Sequence, residues 1–491
     1  MIRKIIFLLA IPVVAFIVGK GINAYLDNKW VNGYMEYAKS ENLPTTKEAL
    51  EYVSLNNVCS GNTEVPRKEI TNLCDYHDNM NMLMYASVAT AGIALFSLLA
   101  ISIIGLVSRI HRVLLVVFFR TGVYVFLLIG ILLLLAEAAL AIAAIYYGES
   151  ALVNRVHIGI IAAIGIAAAL GVLKIIIPAL GTIRRARSIV FGKTLSKEKY
   201  PQIWTVVTEA ANKLKSLQPT NIIAGLGEQY FVTEVEVICL DGTMTGRTLF
   251  LSLPLMHQLS TSELTSIIGH ELGHFRGKDT IYSRHFYPVY RGTSNALVNL
   301  FGGLSSEGGF IYLPVLSLLS HFMEVFSKIE SKFSRKRELL ADKAGTEITS
   351  NEIFGKALTK IYAYTGLWEI IEKQMVKAIG ENKTIVNTSA YYSQLLDVVD
   401  KETFINAIAE KHIEHPTDSH PPLATRLKNL GFEQDTFKDV VKSSESNPAI
   451  ELILDYGTLE EELSEIEHVR LIKIGAATLP NSDSTGKQTG E

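Results

Sequence analysis

The sequence SIIGHELGHFRGKD (residues 266–279) places two histidines and a glutamate inside an otherwise apolar, helix-like segment. His270 and His274 are four residues apart, so a helix carries both imidazoles on one face, and Glu271 lies one step round the same turn. Two neutral imidazoles with this spacing can bind Zn²⁺, with the glutamate beside the open coordination position. The H-E-x-x-H pattern therefore predicts a metal site with a general base, and a pair of surface histidines is the alternative.

The residues before this motif indicate a helix and a pair of strands. Residues 200–217 carry apolar side chains at helical spacing, which predicts an amphipathic helix. Residues 229–240 and 246–253 are rich in β-branched and apolar side chains and flank a glycine-containing connection, so we predict a β-hairpin. The motif helix then begins after Ser260 or Thr261, either of which can cap it.

A third metal ligand is available in the segment SRKRELLADKAG (residues 334–345), on a second predicted helix. Glu338 and Asp342 are four residues apart and share one helical face. One carboxylate can bind the metal, and the other, a turn later, can orient a metal-binding histidine. Solvated acids on an ordinary amphipathic helix are the alternative.

A third group of polar residues lies in HIEHPTDSHPPLATRLKNLG (residues 412–431). His420 precedes two prolines that restrict the backbone, and Arg426 follows in a predicted helix. A histidine beside a zinc site can stabilise the oxyanion of a tetrahedral intermediate, and an arginine can anchor the carboxylate beneath the metal. His412 and His415 compete with His420 for the first role.

Long apolar segments dominate the N-terminal part of the chain. Each is about 20 residues or longer, the length that a bilayer core requires. We predict four transmembrane helices, at residues 5–25, 81–108, 122–147 and 157–182. The first has a basic start and can be a cleaved signal peptide, but it lacks a clear cleavage site, so we expect an uncleaved anchor.

The distribution of basic residues predicts the topology of these helices. Basic side chains cluster before the first span and after the second and fourth, which puts those ends in the cytoplasm. The loop 27–80 then faces the opposite side, where an oxidising compartment would let Cys59 and Cys74 form a disulfide. Two free thiols are the alternative. We expect a multi-pass protein of the cell inner or plasma membrane, and no basic tract indicates nucleic-acid binding.

Three regions follow from these patterns. We expect a membrane domain at 1–182, a cytoplasmic catalytic domain at 183–440, and an acidic helix-like segment with a disordered tail at 441–491. Residues 286–326 form an apolar insertion broken by glycines. Because the two metal-binding motifs must lie on one side of the membrane, this insertion crosses it twice or not at all. Its weak first limb favours a position on the membrane surface.

These ordered motifs resemble the integral-membrane zinc metallopeptidases that include the HtpX protease and the CAAX prenyl endopeptidases. HELGH is the metal-binding motif, SRKRELLAD fits S-R-x-x-E-x-x-x-D, and SHPPLATRL fits H-P-P-x-x-x-R. The resemblance covers roughly residues 200–432. It implies a mainly α membrane protein with an α+β, zincin-like (gluzincin) peptidase domain that contains a small β-sheet.

The resemblance also implies roles for individual residues. His270, His274 and Glu338 would bind one Zn²⁺ per chain, and Glu271 would be the general base and then the general acid. The expected function is therefore a membrane-bound endopeptidase that cleaves membrane or misfolded proteins at the cytoplasmic face. Its partners would be protein or peptide substrates and the lipid bilayer.

Supporting roles are implied for residues around the metal. Asp342 would support the metal layer and pair with Arg426, and His420 would contact substrate or the oxyanion. In the family, substrate adds a strand to a sheet edge, which residues 229–237 or 246–253 would provide here.

Two other functions compete with the endopeptidase. A prenyl-peptide protease would use the same chemistry, but the family's prenyl proteases have seven spans, against the four predicted here. A membrane scaffold or receptor with a silent zinc site is the second alternative. The presence of Glu271 argues against it, because a silent site does not need a general base.

Overall fold

A computed structural model describes most of the chain, apart from segments around 64–69, 182–186, 277–311 and 399–420 and the C-terminal tail. The described residues are 2–61, 63, 70–181, 187–276, 289–290, 292–294, 297–298, 312–365, 368–398, 421–433, 435–437, 439 and 447–477. They form two compact units. The first unit comprises Met1–Arg184 and Pro288–Ile329, and the second comprises Arg185–Tyr287 and Glu330–Glu491.

The first unit is helical. Its helices are α1 (Ile2–Ser40), α2 (Lys47–Tyr52), α3 (Leu55–Cys59), α4 (Thr71–Ser108), α5 (Arg112–Val153) and α6 (Ile158–Gly181). Four of them, α1, α4, α5 and α6, are long and apolar enough to cross a membrane, and each overlaps one of the predicted spans. The four expected apolar helices of membrane-spanning length are therefore confirmed.

The region predicted as an outer loop is mostly helical. Helices α1 and α4 have 39 and 38 residues, well beyond the roughly 20 that a bilayer core needs, so both extend into this region. Helices α2 and α3 lie between them. Cys59 of α3 and Cys74 of α4 form a disulfide with a Cα–Cα distance of 5.3 Å. The indole N–H of Trp30 donates a hydrogen bond of 2.8 Å to the backbone carbonyl of Val53.

The insertion expected on the membrane surface packs differently in its described part. Helix α10 (Leu313–Ile348) begins within it. Apolar side chains of α10 contact glycines of the long helices, with Val325 against Gly105 of α4 and Phe322 against Gly122 of α5. Because glycine has no Cβ, the helices approach closely, which buries Phe322 fully and Val325 in part. Residues 312–326 therefore belong to the helical bundle, and most of 286–311 lies outside the described residues.

The second unit contains two small β-sheets. Its strands are β1 (Arg187–Ile189), β2 (Lys193–Thr194), β3 (Asn221–Gly225), β4 (Phe231–Thr233), β5 (Glu236–Cys239), β6 (Gly242–Met244) and β7 (Thr248–Ser252). One sheet has the order β1-β5-β6 and the other β2-β3-β7-β4. Strand β3 is parallel to β7, and β4 is antiparallel to it.

The predicted β-hairpin is present only in part. Strands β4 and β7 pair antiparallel as expected, but β5 leaves this sheet and pairs with β6, which lies in the predicted connection. Strand β7 has a partner on each side, so residues 246–253 cannot offer a free edge. That prediction was wrong for β7, because its five residues are all buried between neighbours. Among the described strands, β4 and β2 are the two edges of this sheet.

The described part of the second unit also contains helices. They are α7 (Pro201–Leu214), α8 (Leu253–Met256), α9 (Thr261–Arg276), the second half of α10, α11 (Asn351–Tyr364), α12 (Trp368–Gly380), α13 (Thr388–Val398), α14 (Leu423–Asn429) and α15 (Tyr456–Lys473). The main core joins α7, β3, β7 and α9.

The expected boundary at residue 440 differs from the structure, because residues 447–477 lie in the second unit. Ile450, Leu459 and Leu463 are buried in the same core as Leu264 and Ile268 of α9. The sequence indicated an acidic helix-like stretch in this segment. Leu459 and Leu463 are one turn apart on α15, so both face this core, although the buried residues of the helix also include Glu460 and Ser464.

Glu228, in the connection between β3 and β4, has a partly buried carboxylate. Burial raises its pKa to about 7. A hydrogen bond from the backbone N–H of Trp368, at the start of α12, acts in the opposite direction, and the charge of Glu372 adds to the increase. The folded protein therefore binds a proton here at pH values where the unfolded chain has released it.

We expect the substitution Glu228→Gln to flatten the dependence of stability on pH. Between about pH 4.5 and 7 the folded state holds one proton more than the unfolded state, so wild-type stability falls as pH rises through this window. The neutral amide has no such dependence. Melting temperatures in detergent should coincide near pH 4 and favour the variant by a few degrees near pH 8. Glu461→Gln, at an exposed position of α15, is the control, and parallel curves for Glu228→Gln would contradict the assignment.

Candidate metal centre

The helix α9 begins with a reciprocal cap. The hydroxyl of Ser260 accepts a 3.2 Å hydrogen bond from the backbone N–H of Glu263, and the Glu263 carboxylate accepts a 2.9 Å bond from the backbone N–H of Ser260. This capping box satisfies two groups that a helix start otherwise leaves exposed. Of the two predicted caps, Ser260 is therefore the one used, and Thr261 is the first helical residue.

Helices α9 and α10 approach each other through small residues. A Cβ at Gly273 would overlap the side chain of Ala344 and the backbone of Ala341, and a Cβ at Gly269 would crowd Gly345. Each glycine immediately precedes a histidine of the motif. The absence of side chains here lets α10 pack against the face of α9 that carries the imidazoles. Sequence reasoning did not use these glycines, although their four-residue spacing was visible.

This close packing brings three potential ligands together. His270, His274 and Glu338 each offer one ligand atom, and these atoms all lie within 4.8 Å of one another. The Nε2 atom of His270 is 3.5 Å from one carboxylate oxygen of Glu338, and Nε2 of His274 is 3.7 Å from the other. Two imidazole nitrogens and one carboxylate oxygen form a donor set that fits Zn²⁺ and leaves one position for a small molecule. The cluster can hold a metal ion.

Asp342 and Arg426 form a layer behind His270. One oxygen of Asp342 is 2.9 Å from Nδ1 of His270, and the other accepts a 3.0 Å hydrogen bond from Nε of Arg426. A second N–H of Arg426 also donates to Asp342, so the pair is bidentate. Asp342 is fully buried and Arg426 is 5% exposed. The contact holds Nδ1 of His270 towards Asp342 and leaves Nε2 directed at Glu338.

Opposing electrostatic effects act on this layer. Burial raises the pKa of Asp342, but the charge of Arg426 and the contact with His270 outweigh it and hold the pKa below its usual value. Burial lowers the pKa of His270, whereas Asp342 and Glu338 raise it, to about 10. An imidazole must be neutral to bind a metal, so binding at this site has to displace a proton.

Of the other predicted site residues, Glu271 and Arg426 lie within the described part of the chain and His420 does not. Glu271 follows His270 on α9 and is 8% exposed, so its carboxylate lies in a largely desolvated environment. Helix α14 places Arg426 against Asp342, as the resemblance implied. His420, with its competitors His412 and His415, lies outside the described residues, which resume at residue 421.

Phe354 is a further residue of the site that sequence reasoning missed. Its ring stacks on the imidazole of His270, with ring centroids 5.8 Å apart and an angle of 21° between the planes. Phe354 is fully buried on α11. In the sequence it is one of several apolar residues of an amphipathic helix, and no local pattern distinguishes it.

Part of the chain is similar to a known protein family. Residues 240–433 match the family described as Peptidase family M48. A protease HtpX homolog of Polynucleobacter necessarius is 38% identical over 112 residues, which are 22% of this chain and 38% of that protein. A protease HtpX homolog of Pyrobaculum calidifontis is 25% identical over 201 residues, 38% of this chain and 56% of the relative. Protease HtpX of Acinetobacter baumannii is 30% identical over 151 residues, 27% of this chain and 48% of the relative.

The matched part of the chain therefore spans between 38% and 56% of the length of these relatives. The M48 match includes α9, the second half of α10 and α14, which are the helices that supply the three ligands and the Asp342–Arg426 pair. Four apolar helices precede the match. Residues 240–433 therefore resemble Peptidase family M48, and the relatives similar to this part of the chain are HtpX proteases.

Proposed function

We propose that the protein is a membrane-bound zinc endopeptidase that hydrolyses peptide bonds of membrane or misfolded proteins at the cytoplasmic face. The observation that carries this proposal is the buried cluster of His270, His274 and Glu338, with Glu271 beside it on the same helix. Three protein ligands are typical of a catalytic zinc site, whereas structural sites are normally closed by four.

The three ligands would hold one zinc ion per chain. A zinc ion in such a site supplies a Lewis acid that polarises a peptide carbonyl and makes water nucleophilic near neutral pH. Glu271 would accept the proton of the attacking water and pass it to the nitrogen of the leaving amine. Its position next to His270, in a largely desolvated place, suits a group that moves a proton within the site.

The Asp342–Arg426 pair would keep His270 in the orientation that binds metal. Asp342 is a negative charge fixed by a buried arginine, so it can hold the Nδ1 proton of His270 without taking it up. His420 would donate to the oxyanion of the tetrahedral intermediate, a role that rests on the family resemblance. One such donor contributes about 2.7–4 kcal/mol to transition-state stabilisation.

We assign an extended substrate to strand β4. It is one of the two edge strands of its sheet among the described strands, and it contacts α9, the helix that carries the two histidines. A peptide added alongside β4 would gain main-chain hydrogen bonds, and its carbonyls would run past α9. Binding through the main chain suits a protease that accepts unfolded segments of many sequences.

The cytoplasmic orientation of the catalytic unit follows from the basic residues at the ends of the spans. The Cys59–Cys74 disulfide is consistent with this topology, because it puts the disulfide in the region assigned to the oxidising side. We further propose the cell inner or plasma membrane as the location.

The proposal predicts that cleavage depends on one zinc ion per chain. The measurement is cleavage of an unfolded model protein by zinc-loaded enzyme in detergent, with the metal content determined in parallel. Chelation should abolish cleavage and zinc should restore it. Glu338→Gln should weaken zinc binding by more than the roughly 10–100-fold typical of an outer-shell partner.

Failure of the zinc-replete wild type to cleave unfolded protein would overturn the proposed substrate class. Cleavage of a prenylated peptide would then indicate the narrower prenyl-peptide protease, and cleavage of neither substrate would indicate a scaffold with a silent site.

A further inference from the structure

A buried ion pair lies on the same face of α9 as the two histidines. Nζ of Lys360, on α11, is 2.8 Å from a carboxylate oxygen of Glu263. Lys360 is 1% exposed and Glu263 is 5% exposed. Desolvation of two charges commonly cancels their attraction, so a buried pair of this kind adds little to stability. Its established use elsewhere is to specify one arrangement of the elements that it joins.

The ion pair is connected to the start of α9. The Glu263 oxygen that receives Lys360 is also the acceptor of the backbone N–H of Ser260. Lys360 is therefore attached to the capped first turn of this helix. Glu263 and His270 are seven residues apart, which is about two turns, so the ion pair and the imidazole lie along one line of the helix surface.

Helix α11 makes a second contact on this line, through Phe354 on the ring of His270. Phe354 and Lys360 are six residues apart, a rise of about 9 Å, and Glu263 and His270 are separated by about 10.5 Å. The two contacts are therefore spaced almost equally on two antiparallel helices. A ring stacked on a ring tolerates sliding, because dispersion has little directionality. A charge-assisted hydrogen bond with defined geometry does not.

We propose that the Glu263–Lys360 pair is a positioning device that sets the register of α11 against α9. In this register Phe354 covers His270 from one side while Asp342 contacts its Nδ1, so the imidazole has one orientation in which to meet a metal. The inference rests on the proposed function. It holds that the pair fixes the geometry of the metal site and does not serve general stability. Neither residue touches the reacting atoms.

The test separates charge pairing from stability with single and double substitutions. Lys360→Met alone leaves Glu263 charged and buried, and we expect the melting temperature to fall by about 5–10 °C. Glu263→Gln combined with Lys360→Met removes both charges and keeps an oxygen for the backbone N–H of Ser260. We expect the double variant to regain most of the lost melting temperature.

The decisive measurement is the affinity for zinc, determined by competition with a chromophoric chelator. We expect the double variant to bind zinc about 10-fold more weakly than wild type despite its recovered stability, and to show a lower kcat at unchanged KM. Lys356→Met is the matched control: Lys356 lies one turn earlier on α11 and pairs with Glu352 at the surface. It should leave melting temperature, zinc affinity and kcat unchanged.

A double variant with wild-type zinc affinity and kcat would overturn the proposal and reduce the pair to a structural contact. The zinc measurement does not require cleavage. If wild type binds zinc but cleaves nothing, the proposed function fails, while the comparison of zinc affinities still decides the role of the pair.

Discussion

Substitution of Glu271 by glutamine should reduce cleavage by about 10²–10⁴-fold while one zinc ion remains bound per chain. The amide has nearly the shape of the carboxylate but cannot accept a proton from water at neutral pH. His270, His274 and Glu338 are unchanged, so the metal donors stay in place. Steady-state cleavage of an unfolded protein and metal analysis of the same sample give the two quantities.

The stability of this variant provides the control. Because Glu271 lies on a helix whose cap and packing are untouched, we expect Glu271→Gln to melt within a few degrees of wild type. Zinc-replete Glu271→Gln with wild-type turnover would refute its role as general base. Loss of zinc together with cleavage would instead mean that Glu271 helps to build the metal site.

Substitution of Arg426 by methionine should have the second large effect, on stability and on the metal together. It would leave the carboxylate of Asp342, which is fully buried, without its charged partner. Breaking a buried pair in this way costs about 3–5 kcal/mol in the free energy of unfolding. We also expect zinc affinity to fall about 10–100-fold, because Asp342 then no longer orients His270.

Denaturant unfolding in detergent, followed by tryptophan fluorescence, can measure the first quantity, since Trp204 and Trp368 both lie in the second unit. Lys428→Met is the matched control, at an exposed position of the same short helix, and should change neither quantity. Combining Arg426→Met with Asp342→Asn should recover part of the stability but not the zinc affinity. Unchanged unfolding in Arg426→Met alone would show that Asp342 does not depend on this partner.

The sequence was sufficient for features that arise within one segment. Residues four apart in a helix share a face, so the spacing of His270 and His274 predicted adjacent imidazoles, and that of Glu338 and Asp342 predicted adjacent carboxylates. The apolar segments predicted membrane-length helices because the thickness of a bilayer sets their minimum length. The family resemblance carried by the motifs implied the fold class, and the structure confirms a mainly helical chain with four apolar helices of membrane length and small sheets.

Strand order could not be predicted in this way, because it depends on pairing between segments that are distant in the sequence. The sequence predicted a strand at residues 246–253, but not that β3 and β4 pair with it on both sides and leave β4 at the edge. Likewise, the acidic composition of the last helix did not indicate that its Leu459 and Leu463 pack into the core that includes α9. Both outcomes depend on which distant surface each segment meets.

By itself, then, the sequence determined which residues can act as metal ligands and general base, since helical geometry alone brings each pair together. Only the tertiary structure decided the distances and orientations at which these side chains meet. The glycines of α9 that admit α10, the ring of Phe354 on His270 and the charge of Lys360 on Glu263 all act between helices. Such contacts have no local signature, because each residue satisfies its own helix equally well with or without its partner.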